Sequence, residues 1–262
     1  MPPVALCYLS HPMELYETLL LCALFFGVAS LYTTVGHAGA SGYLAMMALV
    51  GIGPGVMRPT ALLLNILVAA FTVYRFRRAR FFFWSGLWPF LLGSIPFAAL
   101  GGMQSLSRGG YYAAVGVVLL LSAVYLIWRA FGSRAIMEEG VVRVKKLPAA
   151  FIGAVIGLIS GLTGTGGGIF LSPAMLALGW AGPKTTAGIA APFILVNSTV
   201  ALLAGSLTVQ MVPAEMPFLA VSALLGAVLG TWLGLQKLRQ KGLLTTLAVV
   251  MSLAGFKLLF TA

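Results

Sequence analysis

Ten apolar runs follow one another between residues 15 and 260, and they are continuous rather than alternating. Several approach the roughly 20 residues a helix needs to cross about 30 Å of hydrocarbon. In lipid every backbone N–H and C=O must be bonded internally, which leaves helices or a closed barrel. A membrane barrel would show apolar and polar residues in alternation, and these runs do not. Only 8% of the residues are charged, against roughly 25% in a soluble domain. The expectation is an all-α, polytopic helical membrane protein.

The runs lie at about 15–35, 42–53, 59–75, 84–103 and 110–131, then at about 148–164, 168–181, 186–206, 214–236 and 242–260. Both series read long, short, long, long, long. This divides the chain into a first transmembrane repeat at 1–131, a polar linker at 132–147 and a second repeat at 148–262. The repeat is visible residue by residue around the short runs. A shift of 129 positions brings Gly39 onto Gly168, Met46 onto Met175, Leu49 onto Leu178, and Gly53-Pro54 onto Gly182-Pro183. A glycine-rich turn feeding an unusually short apolar segment, present in both halves, points to a transporter binding site.

Charge placement sets the topology. With ten segments, 13 of the 16 basic residues fall on one face, leaving Arg58, Arg108 and Lys257 on the other. Such an imbalance marks the cytoplasmic side, makes 132–147 a cytoplasmic linker and puts both termini outside. It also accounts for the net charge of +11 without a nucleic-acid partner. Five segments per half is an odd number, so the second half enters from the opposite side and the repeats are inverted. That conclusion is the same whether 42–53 and 168–181 cross fully or re-enter. Met1 to Ser10 has no basic region ahead of an apolar core, so no cleaved signal peptide is expected. Cys7 and Cys22 have neither metal spacing nor an obvious partner.

The candidate site follows from the turns. Gly36, Gly39 and Gly42 in the first, and Gly166, Gly167 and Gly168 in the second, let backbone N–H groups approach a ligand. Each turn opens a short helix whose first amides and positive dipole end suit an anion. The other reading is that these glycines serve close helix packing. Ser41, Thr163 and Thr165 have hydroxyls that either donate to an anion or satisfy the carbonyls of their own helix. The same holds for Thr33 and Thr34. Asn65 and Asn197 are the sole asparagines and occupy matching runs; each faces a ligand or bonds between helices. His37 sits in the first turn, either holding charge or a proton beside an anion, or bonded to the turn backbone. Arg58 either draws anions to the outer entrance or snorkels to the interface.

Absences narrow the chemistry. There is no aspartate, and Glu14, Glu17, Glu138, Glu139 and Glu215 all fall at segment ends or in loops. A cation pump or carboxylate proton relay needs an acid within the membrane, so the cargo is expected to be an anion. Proton coupling through His37 or through the cargo itself stays open, as does a homo-oligomer. No nucleotide-binding loop, metal site or cofactor motif is present. The spans also hold no set of groups suited to catalysis, so no enzyme is expected.

Several stretches resemble a known family. They are the two glycine-rich turns with short segments ending in Gly-Pro, Leu-Leu-Asn-Ile-Leu-Val-Ala at 63–69, Leu-Leu-Gly-Ser-Ile-Pro at 91–96 and Phe-Ile-Leu-Val-Asn-Ser at 193–198. Over almost its whole length the chain resembles the sulfite exporter TauE/SafE family, also called toluene sulfonate uptake permeases. The resemblance implies a secondary transporter of sulfite, thiosulfate or organosulfonates such as sulfoacetate, in the bacterial inner membrane. The alternatives are an anion channel of the same architecture or a transporter of a non-sulfur organic anion. One departure is that the first turn carries His37 and Ser41 where many such sequences have nearly unbroken glycine.

Overall fold

A computed structural model describes residues 15–104, 106–131, 139–205, 212–236 and 241–261. Among the described residues there are ten helices: α1 (Leu15–Thr33), α2 (Ala40–Val50), α3 (Pro54–Arg78), α4 (Trp84–Met103), α5 (Arg108–Phe131), α6 (Lys146–Thr163), α7 (Gly168–Ala177), α8 (Pro183–Gly205), α9 (Met216–Leu235) and α10 (Lys241–Thr261). Seven of them, α1, α3 to α6, α8 and α9, have apolar stretches long enough to cross a membrane. The outer surface is correspondingly apolar, with Val124, Leu147, Phe218 and Phe260 exposed. The chain is a polytopic helical membrane protein. Glu14, Glu138, Arg134, Lys237 and Arg239 lie outside the described residues.

Helix starts differ from the sequence expectation in one systematic way. The runs expected from 59 and 186 begin at Pro54 and Pro183. Proline suits the first helical turn because its missing N–H has no partner there in any case. The short helices are also trimmed: α2 stops at Gly51, with φ +90°, and α7 stops at Leu178 ahead of Gly179, with φ +62°. At 1.5 Å per residue, the 11 residues of α2 and the 10 of α7 are each about 16 and 15 Å long. Neither crosses a bilayer alone.

Two glycine stripes hold the bundle together. On α6, Gly153, Gly157 and Gly161 would put a Cβ 2.2, 2.4 and 2.4 Å from the carbonyl oxygens of Phe90, Ser94 and Ala98. On α9, Gly226, Gly230 and Gly234 stand in the same way against the carbonyls of Phe26, Ser30 and Thr34. Each stripe advances with its partner, so α6 runs parallel to α4 and α9 parallel to α1. Lipid supplies no hydrophobic drive between helices, so such close backbone approach is what joins them. Both contacts join a first-half helix to a second-half helix, as do α3 with α8 and α5 with α10.

The buried side chains form two clusters. One is built mainly on α1, α2, α3, α5, α9 and α10, around Phe25, Tyr43, Met47, Leu64 and Met251, and takes in Ile169 of α7 and Ile194 of α8. The other is built on α4, α6, α7 and α8, around Phe90, Leu171, Met175 and Phe193. The basic loops gather at one end of the bundle. There Lys184 Nζ bonds Leu235 O at 3.0 Å and lies over the Phe81 ring, while Arg143 N bonds Trp180 O at 2.8 Å. Arg58 marks the other end.

Candidate functional site

The first turn forms because Gly36 and Gly39 adopt φ +79° and +101°, values a side chain opposes. At Gly36 a Cβ would also sit 2.5 Å from Ala187 of α8, so that residue is small for a second reason. The chain then doubles back: Tyr32 Oη lies 2.8 Å from Ser41 Oγ, and Phe25 stacks on Tyr43 with ring centroids 4.8 Å apart. Thus α2 runs antiparallel to α1 and joins the start of α3. The second turn follows the same plan, with Gly164, Gly166 and Gly167 at φ +82°, +73° and +79°.

Gly39, the residue ahead of α2, has no side chain with which to cap its free amides. Asn65, midway along α3, supplies the cap: Ala40 N donates to Asn65 Oδ1 at 3.1 Å. The amide of Asn65 donates in turn to Thr165 O at 3.3 Å and Ser198 Oγ at 3.2 Å. One side chain therefore ties the start of α2 to the turn ahead of α7 and to α8. Gly166 is packed against it, since a Cβ there would be 2.3 Å from Asn65 Nδ2. A second link joins the turns, His37 Nε2 to Ser172 Oγ at 2.7 Å. His37 also lies 6.2 Å, ring to ring, from Tyr32 and from Tyr125.

The remaining candidates divide. Thr163 donates to Ile159 O at 2.7 Å and meets Thr165 Oγ1 at 3.0 Å, while Thr33 donates to Ala29 O. Gly42 faces Val28 and Tyr32 of α1. Gly167 faces Ile156 and Phe193, and Gly168 faces Ile194 with His37 beyond. Asn197 donates to Phe193 O at 2.9 Å, but its Oδ1 is buried without a hydrogen-bond partner. The two matching asparagines are thus used differently. His37, Asn65 and Asn197 are 2%, 1% and 0% exposed, so the centre is closed to solvent on both sides. Among the described residues no group of His, Cys, Asp and Glu is placed to hold a metal ion.

Several partners escaped the sequence reading. Ser172 lies one helical turn beyond Gly168, a spacing that would have put it on the face of the turn. Ser198 directly follows Asn197. Tyr111 of α5 donates to Thr163 O at 3.1 Å. Arg58 neither waits at an entrance nor snorkels: its guanidinium bonds Gln104 O, Gly101 O, Gly102 O and Gly161 O at 3.0, 3.1, 2.6 and 2.7 Å. These are carbonyls at the C-terminal ends of α4 and α6, where a cation offsets the helix dipole. Lys257 does likewise for Ala48 and Leu49 of α2. Glu139, expected only as linker, accepts from Lys184 N and Thr185 N at 3.0 Å each and so caps α8.

Asn65 ties the N-terminus of α2 to the turn ahead of α7, hydroxyls and an imidazole stand beside it, and among the described residues no carboxylate does. The family model for the sulfite exporter TauE/SafE matches residues 19–258. A curated protein of Sinorhizobium fredii (strain NBRC 101917 / NGR234), described as probable membrane transporter protein y4hK, is 36% identical over 248 residues. That alignment takes in 93% of this chain and 99% of the relative. No solved structure matches the chain.

Proposed function

Since the chain belongs to the sulfite exporter TauE/SafE family and is a multi-pass membrane transporter, we propose that its cargo is a small sulfur-containing oxyanion, held where α2 and α7 meet. Sulfite, thiosulfate and organosulfonates such as sulfoacetate are the substrate class. The observation that carries this reading is Asn65, which brings the amide end of α2 and the turn ahead of α7 onto one residue, with no acid beside it among the described residues. Oxygens of a sulfite or sulfonate suit such converging N–H donors and dipole ends.

The mechanism is alternating access between two inverted repeats in the bacterial inner membrane, with both termini outside. The two buried clusters supply bodies that can rock against each other, and the polar seam between them is where they would part. The links across the seam include His37 to Ser172 and Asn65 to Thr165 and Ser198. Opening either side requires breaking them, and an anion that accepts from the Asn65 amide and from the Ser172 and Ser198 hydroxyls offsets that loss. Binding energy from the anion thus lowers the cost of the change.

The test is thermal stabilisation of purified full-length protein by sulfite, thiosulfate, sulfate, sulfoacetate, taurine, acetate and chloride. A ligand selective for the folded state raises Tm with its occupancy. A selective shift with a sulfur oxyanion, followed by counterflow in liposomes, supports the reading. A shift with acetate or a cation alone refutes the cargo, and flux without counterflow refutes a carrier in favour of a channel.

A further inference from the structure

An open pocket of about 610 Å³ lies away from the seam, lined by Arg143, Lys145, Pro148, Phe151, Ile152, Leu178, Gly179 and Trp180. Its basic wall is fixed in place. The segment 141–145 is pinned to the loop after α7 by the Arg143 N to Trp180 O bond of 2.8 Å and the antiparallel Val142–Ala181 bridge, and Lys145 is extended, with φ −83° and ψ 122°. In an extended segment, residues two apart share a face, so Arg143 and Lys145 present both charges to the same space. Both are exposed, and none of the eight lining residues is acidic.

The rest of the pocket is apolar, and it opens onto the lipid-facing side of α6. Phe151 is 72% exposed and Leu147, one turn before it, 85% exposed. Trp180 forms a rigid floor, buried against Phe90 with ring centroids 5.9 Å apart. Two exposed cations on a pinned backbone, above an apolar cleft on the lipid-facing side, match a molecule with a phosphate head and an acyl body. A soluble oxyanion would gain the charges but leave Phe151, Leu178 and Pro148 wet. Basic pockets between transmembrane helices suit anionic head groups for this reason.

We propose that this pocket holds one anionic phospholipid, its phosphate on Arg143 and Lys145 and its chains along Phe151 and Leu147. The lipid would pin the linker to the start of α6 and the end of α7, the short helix that forms one side of the seam. The site is independent of which cargo the seam carries.

The test is native mass spectrometry of the full chain in detergent, titrated with phosphatidylglycerol or phosphatidylcholine. The comparison is between wild type, Arg143→Gln/Lys145→Gln and a control, Arg77→Gln/Arg78→Gln, which removes two exposed charges elsewhere. The expected result is preferential retention of one phosphatidylglycerol. Its affinity should fall roughly thirtyfold in the first variant, the scale two basic residues supply near an anionic surface, and stay unchanged in the control. Equal retention in all three proteins overturns the proposal. So does displacement of phosphatidylglycerol by millimolar inorganic phosphate or sulfite, which would make the pocket a soluble-anion site. Unchanged Tm in both variants is the folding check; a fall confined to the first variant is answered by Arg143→Lys/Lys145→Arg, which must restore retention.

Discussion

The amide nitrogen of Asn65 lies 3.3 Å from the carbonyl oxygen of Thr165, a residue exactly one hundred positions further along the chain. Through that bond a side chain of the first half closes the turn of the second, while its oxygen caps α2. The links that hold this centre can each be cut singly.

Asn65→Ala removes three hydrogen bonds from a buried site. At about 1 kcal/mol each, the loss of stability is about 3 kcal/mol, read as a lower Tm in detergent. Anion-induced stabilisation should be lost in the same variant, since the amide end of α2 would no longer be held against the second turn. Retained wild-type Tm would show that the bonds contribute nothing.

Gly166 and Gly51 separate backbone strain from crowding. Both have positive φ, +73° and +90°, but a Cβ at Gly51 meets nothing within 4 Å, whereas at Gly166 it meets Asn65 Nδ2 at 2.3 Å. Gly51→Ala should cost about 1 kcal/mol, the left-handed penalty alone. Gly166→Ala should cost at least twice that and abolish anion binding. Paired melting curves decide it, and equal costs would refute the crowding argument.

His37 and Ser172 should be energetically coupled. In a double-mutant cycle of His37→Ala and Ser172→Ala, the pair should fall short of additivity by about 0.5–3 kcal/mol, measured by thermal or denaturant unfolding. Strict additivity would mean that the 2.7 Å contact carries no net energy.

Arg58→Lys keeps the charge but cannot reach four carbonyls on two helices with one compact ammonium. Stability should drop by about 1–3 kcal/mol, the scale of hydrogen bonds to a charged group, with the anion dissociation constant unchanged in the folded protein. A weakened anion affinity at constant Tm would return Arg58 to the transport path.

Glu139→Gln tests the cap on α8. A neutral amide keeps one acceptor oxygen but loses the charge that favours a helix N-terminus, so a fall of about 1 kcal/mol is expected. The difference between the variant and the wild type should diminish at high salt, because this cap is exposed at the end of the bundle rather than buried in the seam.

Much of the architecture was legible because lipid allows so few solutions. Long apolar runs, two short ones, and the Gly-Pro that ends each short one mark helices directly, since the bilayer demands apolar surface and internally bonded backbone. The same chemistry made Gly36, Gly39, Gly166 and Gly167 readable as turn residues, and their positive φ values follow. The stripes Gly153-Gly157-Gly161 and Gly226-Gly230-Gly234 stand at helical spacing and were not singled out from the sequence, and spacing alone does not name the helix they press against.

What the sequence by itself determined is the list of helices, the two turns and the absence of aspartate. Only the tertiary structure decided which polar groups meet. Asn65 and Asn197 stand in matching runs, yet Asn65 bonds three partners from elsewhere in the chain while Asn197 keeps to Phe193, four residues back. Periodicity specifies which face a helix buries. A hydrogen bond needs its partner within about 3 Å, and that placement comes from the packing of helices distant in the chain, which no local pattern encodes.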